Sequence, residues 1–297
     1  MSSKEEITQL IGALSEYECA HLLALFQNTA AGERFWETDI STVYNEHVKT
    51  RMSHADVESI PAVPITQAGI FAPIPIVKSY PEAERIELPV PAKLEMPLGD
   101  VLLQRRSRRD YTGEAIGALE LATILHYACG VTGVIPGYGY HCLPLRAFPS
   151  TGGLQAPEVY LSVQAVEGVA AGLYHYHATD NVIESMRPGQ FGPMLSTMGL
   201  QQPYMQSASV VFLITGCFER LRWKYGQRAY KYMCMDAGYL GQNLYLVAEA
   251  LNLGACGIAG FVDDGMEKLL DVDGRNEMIL LLTTVGVLHR SIGVSSA

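Results

Sequence analysis

The sequence predicts an α+β fold. Residues 173–176 and 182–185 read as short strands joined by the turn 178–181, which makes a local antiparallel meander. Residues 209–215 enclose a continuous apolar run, which is typical of a strand buried on both faces. Residues 230–253 place apolar side chains at helical spacing and predict the longest helix. A meander, a buried strand and a long buried helix together indicate a mixed domain.

Shorter elements complete the predicted fold. Residues 98–103 predict a helix that leads into a basic segment, and residues 119–128 predict another helix that stops at Gly130. Residues 159–163 alternate between apolar and polar side chains, as a strand does. The remaining predictions are part of a helix over residues 266–270 and a final buried strand over residues 278–287.

Three glycine-containing stretches predict irregular backbone. Residues 131–145 are rich in Gly and Tyr and read as irregular, and residues 254–261 read as a glycine-rich loop after the long helix. Residues 149–154 are P-S-T-G-G-L. Two hydroxyls followed by paired glycines expose backbone donors and allow a ligand to approach closely; a tight turn before the next strand is the alternative.

The N-terminal part reads as a separate region. Residues 7–26 predict an amphipathic helix that packs against the body. Residues 61–98 contain eight prolines and predict an extended connector on the surface. We therefore expect residues 1–95 to form an N-terminal helix with an extended wrapping segment, and residues 96–297 to form the main domain.

The composition excludes several classes of protein. The chain has 31 acidic against 21 basic side chains, and its net charge of −10 argues against a nucleic-acid binder. No apolar run is long enough to span a bilayer, and residues 1–6 lack the parts of a signal peptide. We therefore expect a cytoplasmic protein with no membrane partner. The six cysteines form no C-x-x-C pair and predict free thiols.

Metal and nucleotide motifs are also missing from the sequence. His175 and His177 alternate along one predicted strand and share a face, so we expect a role at the sheet surface. A metal pair is the alternative, but no third ligand is in view. No G-x-G-x-x-G follows a strand and no Walker A motif occurs, so neither a Rossmann nor a P-loop site is supported.

Four arginines fall within residues 105–109 of this acidic chain. Such a cluster repels itself unless an anion lies among the guanidiniums. Their planar, forked donors match phosphate, and Ser107 adds a neutral donor. We predict that this segment binds the phosphate of a small cofactor; a solvated basic turn paired with surface carboxylates is the alternative.

Ordered blocks of the sequence resemble one family. Residues 105–111, R-R-S-R-R-D-Y, resemble the R-R-S-x-R-x-[FY] opening of the FMN-dependent nitroreductase-like fold. Residues 149–154 resemble the P-S-x-G-G block of its SagB-type branch, the thiazoline and oxazoline dehydrogenases. Residues 224–244, with K-Y-G-Q-R-A-Y-K-Y, D-A-G and G-Q-N-L, resemble a further signature of that branch. The likeness extends through residues 254–261.

This resemblance implies an α+β sandwich with a central, mostly antiparallel sheet flanked by helices. It further implies a homodimer that binds FMN in clefts between the subunits, with the long helix at the dimer interface. The residues expected at FMN are Arg105, Arg106, Ser107 and Arg109 at the phosphate and ribityl chain; Pro149, Ser150, Thr151, Gly152 and Gly153 along the isoalloxazine ring; Ile258, Ala259 and Gly260 near flavin N5; and Gln242 and Arg290.

The activity that the resemblance implies is dehydrogenation of a thiazoline or oxazoline ring on a ribosomal peptide or a carrier-bound intermediate. In this branch a Lys–Tyr pair is implicated in removing a ring proton. Lys224 and Tyr225 match that pair, and Lys231 and Tyr232 offer a second one. A cyclodehydratase would be a partner. The alternatives are an NAD(P)H-dependent nitro or quinone reductase and a flavin-fold scaffold subunit of a modification complex.

Overall fold

The computed structural model describes residues 74–289 of the 297-residue chain. Its strands are β1 (Glu84–Glu87), β2 (Val131–Gly137), β3 (Tyr140–Arg146), β4 (Pro157–Val163), β5 (Gly172–His177), β6 (Val182–Pro188), β7 (Val210–Cys217), β8 (Gly254–Ile258) and β9 (Glu277–Gly286). Its α-helices are α1 (Leu98–Gln104), α2 (Ala118–Cys129), α3 (Gly192–Met198), α4 (Tyr204–Ser207), α5 (Phe218–Tyr225), α6 (Ala229–Ala250) and α7 (Asp263–Leu270).

Seven strands form the central sheet, in the order β1-β6-β5-β4-β7-β9-β8. Each neighbouring pair in it is antiparallel. The predicted α+β class is therefore confirmed, and so are the meander β4-β5-β6, the interior strand β7 and the final strand β9. Strand β1 lies in the proline-rich stretch that we expected to wrap the surface as a connector, and it pairs along the outer edge of β6.

Helices cover both faces of this sheet. Successive side chains of a strand point to opposite faces, and both sets of β7 are buried. Phe212 belongs to the hydrophobic cluster that includes the buried stripe of α6, whereas Leu213 belongs to the cluster that includes residues of α3 and α7. This two-sided burial explains why residues 210–214 form an uninterrupted apolar run.

Residues 131–145 are not irregular, as the sequence predicted, but form the hairpin β2–β3. The turn residues Tyr138 and Gly139 have φ angles of 48° and 84°, so both adopt the left-handed backbone that a type I′ turn requires. Register shifts interrupt the pairing, and β2 is nowhere fully buried. The sequence of this stretch therefore shows no clear alternation of apolar and polar side chains that would predict a strand. In addition, Tyr is not a residue that usually indicates a type I′ turn.

Residues 254–258 are not a loop, as the sequence predicted, but the edge strand β8. A Cβ atom at Gly254 would clash with the side chain of Leu288, and one at Gly257 would press on the ring of Tyr245. The glycines are thus required by close packing on a strand rather than by loop conformation. Only the residues that follow, including Ala259 and Gly260, leave the ladder.

His175 and His177 are buried rather than at the sheet surface, so that expectation is wrong. His175 lies between two carboxylates, 2.9 Å from Glu184 and 3.1 Å from Glu158. Burial alone would lower the pKa of His175, but the hydrogen bonds to both glutamates outweigh burial and raise it. Among the described residues, no group of three or more His, Cys, Asp or Glu side chains is placed to hold a metal ion.

Several predictions concern residues outside the described range. The helix over residues 7–26, the thiol of Cys19 and the role of Arg290 all lie there, and the domain division at residue 95 stays a prediction. The five described cysteines are free thiols, as expected. No helix within residues 74–289 is both long and apolar enough to cross a membrane.

Candidate functional site

The arginine segment, residues 105–109, runs from the end of α1 along the edge of the sheet. Its Ser107 forms a bridge with Ala255 of β8, and the backbone N–H of Arg108 donates to the Ala255 carbonyl at 2.9 Å. The segment thereby pairs with the glycine-containing strand β8. Two blocks that are about 150 residues apart in the sequence become neighbours in the fold.

The four guanidiniums of this segment differ in their partners. Arg108 pairs with Glu249 of α6 at 3.2 Å. Arg106 donates to the backbone carbonyls of Leu103 and Arg105 within its own turn. Within the described residues, no carboxylate lies in ion-pair range of Arg105, Arg106 or Arg109, and all three are at least partly exposed. Three cations that have no carboxylate partner in this part of the chain fit an external phosphate, whereas a self-neutralised basic turn describes only Arg108.

Two tyrosine rings pack against guanidinium groups of the arginine segment. The guanidinium of Arg105 lies 5.3 Å from the ring centre of Tyr245, and that of Arg109 lies 5.7 Å from the ring centre of Tyr204. The Tyr245 hydroxyl is 3.0 Å from Ser107 Oγ and accepts the Gly257 N–H at 2.5 Å. Tyr245 thus joins α6, β8 and the arginine segment, a role that no motif in the sequence announces.

The glycine loop, residues 149–153, ends in a short 3₁₀ turn with left-handed backbone at Gly152 and Gly153, where φ is 61° and 68°. Asp236 of α6 holds this loop, since its carboxylate accepts the Thr151 N–H at 2.8 Å and the Thr151 hydroxyl at 2.7 Å. Burial raises the pKa of Asp236, and the bonds to Thr151 and Ser150 oppose that rise. The glycine loop, which we predict to lie along the flavin ring, is therefore anchored to α6.

Lys224 and Tyr225, at the end of α5, lie against this glycine loop. Lys224 Nζ donates to the hydroxyl of Tyr138 at 2.8 Å, and that hydroxyl donates to the Gly152 carbonyl at 2.7 Å. A Cβ atom at Gly152 would clash with the Tyr225 hydroxyl. Burial raises the pKa of Tyr225, and the neighbouring Lys224 opposes that rise. An amine and two phenols therefore converge on one turn of the loop.

The second Lys–Tyr pair is placed differently. Lys231 is exposed, whereas the ring of Tyr232 packs edge-on against Tyr225 at 5.1 Å. The Tyr232 hydroxyl accepts from Arg228 Nε at 2.8 Å. Tyr225 contacts the glycine loop, and Lys224 is linked to the same loop through the Tyr138 hydroxyl, so we retain that pair as the candidate base.

The candidate residues fall into two groups along α6. Asp236 holds the glycine loop and Tyr245 holds the arginine segment, so nine residues, or about 13 Å of helix axis, separate the two anchors. Gln242 lies between them and is exposed. Near the arginine segment, Ile258 is buried at the end of β8, and the two residues that follow it are exposed.

Comparison with known proteins defines the class to which this fold and site belong. The model of the nitroreductase family matches residues 102–287, well over half of the chain. The chain therefore belongs to the nitroreductase family of oxidoreductases.

Individual relatives refine this picture. A protein of Methanocaldococcus jannaschii named as a nitroreductase is 32% identical over 203 residues, which cover 68% of this chain and 97% of the relative. The microcin B17-processing protein McbC of Escherichia coli is 27% identical over 48% of this chain and 54% of its own length. The trifolitoxin-processing protein TfxB of Rhizobium leguminosarum is 25% identical over 58% of this chain. The match spans 47% of TfxB.

Solved structures agree on the fold. A crystal structure described as a nitroreductase from Anabaena variabilis superposes with a TM-score of 0.63 and 27% identity, over 83% of this chain and 47% of that one. A chain of the E. coli microcin synthetase McbBCD complex superposes with a TM-score of 0.53 and 20% identity, over 84% of this chain and 93% of that one.

Proposed function

We propose that this protein is an FMN-dependent oxidoreductase that dehydrogenates a thiazoline or oxazoline ring to the aromatic azole. The substrate class is a ring on a peptide or on a carrier-bound intermediate. The contact of Tyr225 with the glycine loop, together with the position of Lys224 beside the Tyr225 ring, carries the proposal, since ring aromatisation needs a base beside the cofactor. Relatedness to proteins named for microcin and trifolitoxin processing supports the same reading.

Each candidate residue has a distinct task in this proposal. Arg105, Arg106 and Arg109 hold the phosphate of FMN, because no carboxylate within residues 74–289 pairs with them. Residues 149–153 and 258–260 border the flavin ring. When bound, FMN would accept the two electrons that the substrate ring loses, with dioxygen as the terminal acceptor. Lys224 or Tyr225 removes the proton that the ring loses.

Mass spectrometry tests the reaction directly. The FMN-loaded protein is incubated aerobically with peptides that carry a thiazoline or an oxazoline. We expect each ring to lose two hydrogens, with no other change in mass. A peptide that carries the uncyclised cysteine or serine is the control and should stay unchanged. Full retention of the azoline mass by every tested ring would refute the proposed reaction.

The phosphate assignment makes a prediction of its own. Replacing Arg109 by Met should weaken FMN binding about 10- to 100-fold, because a charge-assisted hydrogen bond to phosphate is lost. Riboflavin has no phosphate, so its affinity should stay within about threefold of the wild-type value. Fluorescence titration with both flavins measures the difference. Arg85→Met is the control, because Arg85 is exposed, pairs with Asp180 and belongs to neither block. Equal losses for FMN and riboflavin would contradict the assignment.

A second candidate function is reduction of nitro or quinone compounds by NAD(P)H. The similarity to the M. jannaschii relative, which covers 97% of that protein and 68% of this chain, favours it. Anaerobic mixing of the FMN-loaded protein with NADPH separates the two candidates. Rapid bleaching followed by nitroarene reduction supports the reductase, and bleaching only by an azoline peptide supports the dehydrogenase.

Dimerisation belongs to the same proposal. The arginine segment and the glycine loop are anchored at different positions along α6, and the outer side of this helix exposes Met235 and Tyr239 by 44% and 42%. We expect a two-fold copy to pack there and to cover this surface. A cyclodehydratase partner and an azoline-bearing peptide complete the proposed assembly.

A further inference from the structure

One buried phenol in the candidate site has no role in the function proposed above. Tyr138 occupies the first turn position of the hairpin β2–β3 and is 2% exposed. Its hydroxyl accepts from Lys224 Nζ at 2.8 Å and donates to the Gly152 carbonyl at 2.7 Å. Because its single proton is used toward Gly152, the phenol oxygen can only accept from the amine. The direction of this hydrogen-bond chain is therefore fixed.

The backbone of Tyr138 is an independent observation. Its φ of 48° lies in the left-handed region, which is unfavourable for a bulky L-residue and is usually occupied by Asn, Asp or Gly in such turns. The ring is held by edge-on packing against Trp223, with 5.7 Å between ring centres. Strained backbone that persists at a candidate site is a reason to look for a function.

We propose that Tyr138 is a positioning residue that fixes the Lys224 amine against the Gly152 turn of the glycine loop. This inference rests on the proposed function, in which Lys224 serves proton removal. It also distinguishes the two Lys–Tyr pairs. In the first pair, Lys224 donates to Tyr138, which holds it at the glycine loop. In the second pair, Tyr232 accepts a hydrogen bond from Arg228. Within the described residues, the titratable groups that face Lys224 are Tyr138 from the hairpin and Tyr225 from its own helix, with Tyr232 and Arg228 behind Tyr225.

The Tyr138→Phe variant tests this role, with Tyr140→Phe as the matched control. Tyr140 lies on the same hairpin, but its hydroxyl accepts a hydrogen bond from the Ile76 N–H at 3.4 Å and is not the partner of Lys224. The hydrogen bond to Tyr138 holds the amine, so its removal should make the acylation of Lys224 at a single pH about 2- to 10-fold faster. Competitive acylation followed by peptide mass spectrometry measures that rate relative to the other lysines, without any turnover.

The same variants are then assayed with an azoline peptide. We expect Tyr138→Phe to lower kcat about 10-fold or more with KM within about threefold. Tyr140→Phe should match the wild type in both measurements. Site-specific 3-fluorotyrosine at position 138 keeps the ring and weakens the oxygen as an acceptor, so it should give smaller changes of the same sign in both measurements even if the Phe variant folds poorly.

The outcomes separate this inference from the proposed function. Faster acylation of Lys224 in Tyr138→Phe, in a protein that oxidises no azoline, would leave Tyr138 in its role and refute the dehydrogenase. Azoline oxidation with unchanged acylation and unchanged kcat in both position-138 variants would overturn the role of Tyr138.

Discussion

Replacing Arg220 by Met is expected to lower the free energy of unfolding by about 3–5 kcal/mol, because the change leaves a buried carboxylate without its main cation. Arg220 is 4% exposed, and its guanidinium lies 2.6 Å from Glu158. It also donates to the carbonyls of Pro75 at 2.9 Å and Gln155 at 2.6 Å. Urea unfolding followed by circular dichroism measures the loss.

Two further variants test whether that loss comes from the buried pair of Arg220 and Glu158. Arg222→Met removes an exposed arginine from the same helix, where it pairs with Glu219, and should cost less than about 1 kcal/mol. Glu158→Gln combined with Arg220→Met should restore part of the stability, because no buried carboxylate is then left uncompensated at that position. If Arg220→Met and Arg222→Met proved equally stable, the buried pair would contribute no more to the free energy of unfolding than the exposed pair.

The stability of Arg220→Met should also differ from that of the wild type in its dependence on pH under acidic conditions. Burial alone would raise the pKa of Glu158, but Arg220 and then His175 outweigh burial and lower it to about 2. A carboxyl with a lowered pKa stabilises the fold above its ordinary value of 4.5 and loses that contribution as the pH falls towards about 2. Stability of the wild type should therefore drop over this window, and the drop should be shallower in Arg220→Met.

Replacing Lys224 by Met is expected to slow substrate-dependent flavin reduction by about 10²- to 10⁴-fold, the range for loss of a positioned proton acceptor. FMN should stay bound, because the arginine segment is anchored elsewhere on α6. Tyr225→Phe should give a loss in the same range if the phenol relays the proton. Stopped-flow absorbance under anaerobic conditions measures the single reductive step and avoids the reoxidation that follows.

The second Lys–Tyr pair supplies the matched controls. Lys231→Met and Tyr232→Phe change the same residue types one block further along the chain, where Lys231 is exposed. We expect their reduction rates to stay within about threefold of the wild type. A large loss in Lys231→Met with full activity in Lys224→Met would move the base to the other pair.

Much of this fold could be predicted because its central elements are strongly periodic. The apolar run of β7 and the helical stripe of α6 each follow from local spacing. The hairpin β2–β3 and the edge strand β8 could not be predicted in this way, since their glycines and exposed residues carry no apolar alternation. At β8 the reason lies in tertiary packing, where Tyr245 and Leu288 leave no room for side chains.

The candidate site divides in a similar manner. The arginine segment, the glycine loop and Lys224 with Tyr225 could be read from short blocks of sequence. Tyr138 and Tyr245 could not, because each acts on a block that is 14 to 138 positions distant and no local pattern marks such a contact. The burial of His175 between two glutamates escaped prediction for the same reason.

The position of β9 in the sheet also bears on how the chain is made. This strand is synthesised after the other eight, yet it lies between β7 and β8 rather than at an edge. A nascent polypeptide that ends before Glu277 would leave the ladder of β7 open and β8 without its partner strand in the sheet. We therefore expect the sheet to close only once residues 277–286 have left the ribosome, and shorter translation intermediates to depend on chaperones that shield unpaired strands.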